Sequence, residues 1–284
     1  MVAARVFALT AAAMFAFAAN SVLCRLALRN TTIDPASFTS LRLISGAAML
    51  WLLTHIGRRT QSDRGASWPS AFALFAYAAA FSFAYVSLSA GTGALLLFGA
   101  VQATMIIGGA LGGERIGLRQ AFGLALAFAG LVILVLPGIA SPPLSAAALM
   151  LVAGVAWGLY SLRGRGSGDP TAATAGNFLR AVPMTIVLSL FFLASARWNA
   201  LGAVYASLSG ALASALGYAI WYTALRGLSA TGAATVQLSV PMIAALGGVA
   251  LLGETVSLRL VIAAVAILGG IAVVLARPAS IYPD

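Results

Sequence analysis

The chain has few side chains that could perform acid, base or metal chemistry, and none of its carboxylates falls inside an apolar segment. Its 284 residues include one cysteine, one histidine and six acidic residues. The acidic residues lie in loops or tails: Asp34, Asp63, Glu114, Asp169, Glu254 and Asp284. His55 alone cannot build a metal site or a Ser-His-Asp triad, and Cys24 has no partner for a disulfide. We therefore expect no enzyme activity, no metal and no cofactor.

Glu114 and Glu254 belong to a motif that occurs twice. Residues 113–119 read Gly-Glu-Arg-Ile-Gly-Leu-Arg and residues 253–259 read Gly-Glu-Thr-Val-Ser-Leu-Arg, an offset of 140 positions (253 minus 113). The two carboxylates could act as gate or coupling residues. Alternatively, each caps the first turn of the helix that follows it, near the positive end of the helix dipole. We favour the capping interpretation.

Two arginines, Arg42 and Arg180, fall inside apolar segments, each directly after a leucine. A charge inside the membrane is costly, so each should face protein or a wet cavity. One of them could bind a substrate carboxylate. Alternatively, each extends its guanidinium to the near membrane surface or to helix-end carbonyls. The short distance of Arg42 from the start of its segment favours this second interpretation there.

Aromatic residues recur at helical spacing in two of the apolar segments. Tyr77, Phe81 and Tyr85 follow one another at intervals of four residues and so share one helix face, and residues 218–225 carry a second stripe. These stripes could form the walls of a cavity for flat apolar side chains, or they could be ordinary lipid-facing aromatics. The candidate substrate-binding residues are Phe17, Asn20, Tyr77, Phe81, Tyr85, Gln102, Trp157, Tyr160, Tyr218, Trp221, Tyr222 and Gln237.

The amides among these candidates need hydrogen-bond partners. Gln102 is predicted near the centre of the fourth segment, and Gln237 about one turn from the centre of the ninth. An unpaired buried amide costs about 1–3 kcal/mol. Each amide could bond to another helix, or to the carboxylate or ammonium group of an amino acid.

Glycines and one proline are candidates for hinge or gating positions, namely Gly91, Gly108, Gly112, Pro241 and Gly248. Small residues at intervals of four allow helices to approach closely. Pro241 removes one backbone hydrogen bond, which predicts a bend near the middle of its helix. We hypothesise that helices 3–4 and helices 8–9 form hairpins that open and close the cavity.

The composition indicates which elements position these residues. Hydrophobic residues make up 62% of the chain and charged residues 8%, whereas soluble domains contain about 25% charged residues. A water-soluble globule is therefore excluded. Because a spanning helix needs about 20 apolar residues, and the alternation of a lipid-facing barrel is absent, we predict ten helical spans. They cover residues 6–24, 37–56, 69–89, 92–112, 118–137, 144–163, 172–195, 200–223, 232–252 and 258–276.

The arginines predict the orientation of these spans. All sixteen basic residues are arginine, and the net charge is +10. Loops on one side hold ten arginines and loops on the other side hold four, so the positive-inside rule places both termini in the cytoplasm. The arginines are scattered singly, which argues against nucleic-acid binding. The N-terminal segment imitates a signal peptide, but nine further spans follow it, so we interpret it as a retained first helix.

The repeat predicts how the helices are organised. Residues 1–140 and 141–284 would each hold five helices, and five is odd, so the second half enters the membrane from the opposite face. The predicted fold is an all-α integral membrane protein built from two inverted five-helix repeats. Such repeats are typical of alternating-access transporters, whose substrate site lies between the halves near the membrane midplane.

These features together resemble the drug/metabolite transporter superfamily of the EamA type. The resemblance rests on the Gly-Glu after the fourth helix of each half, on Trp157-Gly158, on the Leu-Arg pairs and on Pro241 upstream of Glu254. Within that family the chain is most similar to aromatic amino acid exporters of the YddG type. The resemblance implies export of small amphiphilic metabolites through a central cavity. The halves differ, since Val101 corresponds to Pro241.

The expected function is therefore secondary transport, with export of small apolar or aromatic amino acids and similar metabolites by alternating access. The alternatives are an exporter of other metabolites or drugs on the same fold and, from another class, a membrane sensor or enzyme. Because no carboxylate lies inside a span, we favour a facilitator over a proton-coupled antiporter. The expected partners are the lipid bilayer of a bacterial inner membrane and a small-molecule substrate, with the monomer as the functional unit.

Overall fold

The computed structural model describes residues 2–56, 65–112, 117–137, 141–164, 169–228 and 236–275. Within these ranges the chain is helical and contains no strand. The motif residue Glu114 lies outside the described residues, as do Asp63 and Asp284. The helices are α1 Val2–Asn30, α2 Pro35–Ile56, α3 Trp68–Tyr85, α4 Ala90–Leu111, α5 Leu118–Val135, α6 Leu144–Gly164, α7 Pro170–Phe191, α8 Ala200–Leu225, α9 Ser239–Leu252 and α10 Leu258–Leu275.

These helices form an all-α membrane protein, as predicted. Eight of the described helices are long and apolar enough to cross a membrane, and Ser239–Leu252 is a shorter apolar helix. Large apolar side chains are exposed around the outside of the bundle, among them Phe7, Leu118 and Phe191. In water this surface would be strongly unfavourable, so lipid is its natural solvent.

Polar residues in the loops determine where several helices begin. The Ser67, Ser89 and Asn199 side chains accept backbone N–H groups in the first turns of α3, α4 and α8. The Asp34 carboxylate accepts the N–H groups of Ala36 and Ser37, both at 2.9 Å. Each side chain satisfies donors that have no partner within the helix.

Several helix boundaries differ from the prediction, and the largest described difference is at the end of α1. Helix α1 continues to Asn30, six residues beyond the predicted end, because an arginine can leave the membrane without leaving the helix. The predicted start of the ninth helix, residue 232, lies outside the described residues. Val236 and Gln237 are helical, Leu238 forms a turn, and α9 runs from Ser239. The ring of Pro241 would clash with the carbonyl of Gln237 in a continuous helix, which explains the interruption at that point.

The packing of the helices has the symmetry that the repeat predicts. Helix α3 packs against α6, and their repeat equivalents α8 and α1 also pack together. Helix α4 packs against α6, just as α9 packs against α1. The equivalent pairs α2–α7 and α5–α10 pack against each other. An approximate twofold axis in the membrane plane therefore relates the two halves.

The chain alternates between two faces of the bundle. We call the face at which α1 begins the proximal face and the face at which it ends the distal face. The proximal face is the one predicted to be cytoplasmic. The connections between α1 and α2, α3 and α4, and α9 and α10 lie at the distal face.

Helix α8 contains a π-helical segment, Ser209–Leu216, which the sequence pattern did not indicate. Gly210 within it packs directly on the backbone carbonyl of Arg42 in α2 and on the side chain of Ser45. A side chain at this position would not fit, so α2 and α8 come closer here than ordinary side chains allow. π segments of this kind are frequent at functional sites.

Candidate functional site

The centre of the bundle contains a connected set of aromatic rings, which we call the central cluster. Its members come from five helices and comprise Phe17, Tyr77, Phe81, Tyr85, Trp157, Tyr160, Phe178, Tyr218 and Trp221. Apart from Phe178, all were predicted as candidate cavity residues. The stripes on α3 and α8 therefore face the interior of the protein rather than lipid.

Trp157 is at the middle of the central cluster. The centroid of its ring system lies 4.9 Å from Tyr77, 5.3 Å from Tyr160 and 5.0 Å from Tyr218. Phe17 lies on the other side of Tyr218, at 5.8 Å. Phe17 and Tyr77 of the first half thus contact Tyr218 and Trp157 of the second half, and the contact surface between the repeats is aromatic.

A polar network joins the central cluster to α1, α2 and α8. The Tyr77 hydroxyl oxygen accepts hydrogen bonds from Asn20 Nδ2 at 3.2 Å and from Arg42 Nη2 at 3.0 Å. Asn20 Oδ1 accepts a hydrogen bond from Ser209. Arg42 Nη2 also donates to Ser214 Oγ at 3.4 Å. Ser209 and Ser214 both belong to the π segment, so the network depends on that irregular part of α8.

Arg42 corrects an expectation from the sequence. The interpretation that it extends to the membrane surface is wrong, because only 2% of Arg42 is exposed. Its guanidinium carbon lies 5.1 Å from the ring centroid of Tyr77 and 4.8 Å from that of Phe81. The other intramembrane arginine, Arg180, is partly buried and donates to the carbonyl of Gly176 in its own helix.

A small pocket opens at the proximal face between α3, α6, α7 and α8. Tyr160, Thr174, Asn177 and Tyr222 are among its lining residues. The Tyr160 hydroxyl donates to Thr174 Oγ1 at 3.3 Å and accepts from Asn177 Nδ2 at 3.5 Å. Since the Tyr160 ring also contacts Trp157, the pocket adjoins the central cluster. The described hydrogen bonds of these side chains are all between uncharged groups.

The distal face is closed by an ion pair that joins α1 to the α3–α4 and α9–α10 connections. Arg25 Nε lies 3.0 Å from Glu254 Oε1, and Arg25 Nη1 donates to the backbone carbonyls of Tyr85 and Val86. Glu254 Oε2 accepts the backbone N–H of Ala90 at 2.8 Å. We call this set of contacts the distal junction. It ties the end of α1 to the α3–α4 connection and to the end of α9.

We expected Glu254 to cap the helix that follows it, and this expectation is wrong. Ser257 Oγ accepts the N–H of Leu260 and caps α10 instead. Glu254 caps the beginning of α4, which is far away in the sequence, because Gly253 adopts a left-handed conformation (φ 61°) that ends α9 and turns the chain back. Glycine adopts this conformation without steric cost.

A second carboxylate at the distal face, Asp34, is also occupied. Besides capping α2, its Oδ2 accepts the backbone N–H of Arg197 at 2.9 Å. Burial disfavours the ionised form of Asp34, but hydrogen bonds from Ser37, Arg197 and Ala36 outweigh this effect and lower its pKa. Asp34 therefore helps to hold the loop before α8 against the beginning of α2.

Two of the predicted amides, Gln102 and Gln237, make no described contact with the central cluster. Gln102 is buried in α4, and among the described side chains no ring contact or hydrogen bond joins it to the cluster. Gln237 is half-buried and helical, just before the turn at Leu238 that precedes α9. Asn177 was singled out less strongly in the sequence but contributes to the proximal pocket.

The predicted hinge residues lie at helix contacts. A Cβ atom on Gly91 would lie 2.7 Å from Ala245 Cβ in α9, and Gly108 packs against the side chain of Leu162 in α6. Gly248 packs against Glu254 and Ala90. Gly112 ends α4, and Pro241 is buried in the first turn of α9. Pro241 thus lies just after an interruption of the helix at Leu238.

No cluster of metal-ligating side chains occurs within the described ranges. The chemistry that these residues support is binding: aromatic surfaces, hydroxyl and amide groups, and one buried guanidinium. A hydrolytic or group-transfer mechanism would need a nucleophile next to a base, and the described cluster offers aromatic rings and an arginine instead.

Comparison with known proteins also indicates a protein that binds and moves a solute rather than one that catalyses a reaction. The EamA-like transporter family matches the chain twice, over residues 5–136 and 144–276. An uncharacterized protein of Pseudomonas aeruginosa, PA1977, is 57% identical over 272 residues, which is 96% of this chain and 95% of that protein. A crystal structure of another protein has the same fold, with a TM-score of 0.65 and 20% identity over 93% of this chain and 97% of that one. The chain belongs to the EamA-like transporter family, within the drug/metabolite transporters, and is a multi-pass membrane transporter rather than an enzyme.

Proposed function

We propose that the protein is a secondary transporter that exports small apolar and aromatic amino acids, and similar metabolites, by alternating access. The observation that carries this proposal is the central cluster, in which rings from both repeats meet around Trp157. Aromatic walls suit flat apolar side chains, which stack or pack edge to face. The substrate would bind between the halves, where a change in their relative position exposes it to either face.

The contacts at the two faces differ, and this difference supports a proposal for the face at which the site opens more easily. The distal junction seals one face with an ion pair, whereas the proximal pocket leads towards Tyr160 and the central cluster. In our proposal the proximal face is cytoplasmic, both termini are cytoplasmic, and the protein is an inner-membrane monomer of bacteria. The conformation would then be one that is closed more strongly towards the outside than towards the cytoplasm.

The α3–α4 and α8–α9 hairpins are our candidates for the moving parts. Gly91, Gly108 and Gly248 lie at the surfaces where α4 and α9 touch their neighbours, and small residues allow such surfaces to slide. The interruption before Pro241 provides a place where α9 can change direction. Movement of the α3–α4 connection would require the distal junction to open.

The charges favour transport down the substrate gradient. Each described carboxylate caps a helix end, and Glu254 is also paired with Arg25. A proton-coupled transporter usually places an acidic residue inside the membrane. We therefore propose a facilitator that needs no imposed ion gradient.

Counterflow in liposomes tests this proposal. Purified protein is reconstituted into liposomes loaded with unlabelled tryptophan, and labelled phenylalanine is added outside without a pH or ion gradient. Transient accumulation of label above protein-free liposomes is the expected result. A folded and inserted protein that shows no accumulation would contradict aromatic amino-acid exchange and favour a different metabolite or an obligatory coupling ion.

A pair of tryptophan variants connects the transport signal to the central cluster. Trp157→Ala removes contacts with three rings and should lower the initial counterflow rate about tenfold, as expected when a packed aromatic contact with substrate is lost. Trp51→Ala is the control, because Trp51 is 50% exposed on the outside of α2. Equal loss of rate in both variants would argue against a central aromatic site.

A further inference from the structure

The guanidinium of Arg42 is buried, charged and incompletely paired. Its Nη2 atom donates to Tyr77 and Ser214, but its Nη1 atom has no hydrogen-bond partner. Arg42 is among the largest side chains that are fully buried in the protein. An arginine cannot release its proton to escape this environment, unlike a buried lysine. The centre of the transporter therefore carries a permanent positive charge.

None of the described carboxylates is paired with the guanidinium of Arg42. Asp34 and Asp169 accept backbone N–H groups at the starts of α2 and α7. Glu254 pairs with Arg25 at the distal junction. The remaining described contacts of the guanidinium compensate its charge only weakly, since they are two aromatic faces and two hydroxyl groups. An uncompensated buried charge is costly, and an arriving anion would repay this cost.

The position of Arg42 makes its free nitrogen part of the site between the repeats. Its partner Tyr77 is in ring contact with Trp157 at 4.9 Å, and Ser214 belongs to the π segment of α8. The Tyr77 oxygen accepts two hydrogen bonds, from Asn20 and Arg42. Its own hydroxyl hydrogen has no acceptor among the described side chains, so it is a second donor at the same place.

We infer that Arg42 Nη1, assisted by the Tyr77 hydroxyl, binds the carboxylate of the transported substrate. The ligand class is a small monocarboxylate with an aromatic or apolar side chain, because the single positive charge of Arg42 lies next to the aromatic rings of the central cluster. This inference rests on the proposed transport function and narrows its substrate class. The site offers no described carboxylate to an ammonium group, so the substrate's carboxylate, rather than its ammonium group, is the feature that is recognised.

A ligand series that shares one phenyl ring separates these charges. Binding to detergent-purified protein is measured by tryptophan fluorescence and by thermal unfolding, without any transport step. The ligands are 3-phenylpropanoate, which has only the carboxylate, phenylalanine, which has both groups, and phenethylamine and phenylalaninamide, which have only the ammonium group. We expect 3-phenylpropanoate to bind at least about tenfold more tightly than phenethylamine, the usual value of a charge-assisted hydrogen bond.

Arginine variants test which residue provides the positive charge. Arg42→Met should abolish the preference for 3-phenylpropanoate while the ligand-free protein remains folded, since no ion pair is broken. Arg42→Lys should restore part of the preference, because the charge returns without the planar fork. Arg180→Met, in the corresponding Leu-Arg pair of α7, should retain the preference. An Arg180→Met variant that loses the preference while Arg42→Met keeps it would overturn the inference.

The outcomes also separate this inference from the proposed function. If 3-phenylpropanoate binds through Arg42 but phenylalanine does not, the carboxylate site stands and amino-acid export fails. If phenylalanine and phenethylamine bind equally and Arg42→Met has no effect, the carboxylate site fails and aromatic transport stands. Stabilisation by chloride or inorganic phosphate equal to that by 3-phenylpropanoate would also overturn the inference, because the site would then bind any small anion.

Discussion

The two ends of the central cluster are closed by different kinds of contact. At the distal end, Arg25 and Glu254 form an ion pair that also satisfies backbone groups of two other segments. At the proximal end, Tyr160, Thr174 and Asn177 are joined by hydrogen bonds between neutral groups. Separating an ion pair of low exposure leaves two charges to be solvated, whereas neutral groups exchange partners with water at little cost. The comparison indicates that the distal end is the stronger closure.

The first prediction would break the stronger end. Glu254→Ala leaves Arg25 without its ion pair and Ala90 without its cap, and should lower the free energy of unfolding by about 3 kcal/mol. Thermal unfolding in detergent, compared with the wild type at the same pH and salt, measures this effect.

Arg29→Ala is the matched control for that prediction. Arg29 Nη1 lies 3.8 Å from the same carboxylate oxygen and its side chain is 43% exposed, so its loss should cost well under about 1 kcal/mol. A similar loss of stability in both variants would mean that the distal junction is an ordinary surface pair, and the comparison of the two ends would fail.

The second prediction uses two glycines at equivalent positions of the repeats. A Cβ on Gly248 would press on Glu254 and lie 3.1 Å from Ala90 Cβ, at the distal junction. A Cβ on Gly108 would meet only the flexible end of the Leu162 side chain near the proximal face. Gly248→Ala should therefore cost about 2 kcal/mol and Gly108→Ala less than about 1 kcal/mol. Chemical denaturation in mixed micelles measures both, and the reverse order would contradict the comparison.

The third prediction concerns the weaker end. Asn177 Oδ1 accepts the backbone N–H of Ser67 at 3.0 Å, just before α3, and its Nδ2 donates to Tyr160. Asn177→Leu should cost about 1 kcal/mol, the usual net value of a hydrogen bond between neutral groups. Proteolysis of the purified protein at increasing temperature reports this change. Tyr205→Phe, on α8 and outside the pocket, is a suitable control. If Asn177→Leu cost as much free energy of unfolding as Glu254→Ala, the ranking of the two ends would be refuted.

The fourth and smallest prediction concerns pH. The lowered pKa of Asp34 means that its ionised form stabilises the folded state at neutral pH, and this contribution is lost as the pH falls through 3.8 and below. Asp34→Asn retains an acceptor for the cap but loses the charge, so it should cost about 0.5 kcal/mol at pH 7. The difference in melting temperature between variant and wild type should disappear at acidic pH. A difference that grows on acidification would show that the sign is wrong.

The sequence predicted the parts of the site that depend on local periodicity. Tyr77, Phe81 and Tyr85 share a face because a helix repeats every 3.6 residues, and their burial together follows from that spacing. The repeat itself predicted which helices are equivalent and how the second half enters the membrane. The partner of Glu254 could not be predicted in this way. Arg25 is separated from it by 229 positions, and the capping rule refers to the next helix in the chain.

Arg42 shows a second limit of the sequence. Its place near the start of α2 suggested an exposed guanidinium, since distance along a helix is the only depth that a sequence provides. Its actual depth depends on α8, where Gly210 allows a close approach and Ser214 provides a partner. The signal that could have indicated this burial is the absence of any acidic residue nearby, combined with an arginine inside an apolar segment.

The π segment of α8 has a consequence for the rotation of everything that follows it. Residues five apart, such as Ser209 and Ser214, point the same way in a π-helix but not in an α-helix. The two serines can therefore hold Asn20 of α1 and Arg42 of α2 along one stripe. Removing a single residue from this segment would restore regular winding and turn Tyr218 and Trp221 away from Phe17. The orientation of Tyr218 and Trp221 towards the central cluster thus depends on the extra residue that the π segment adds to the helix.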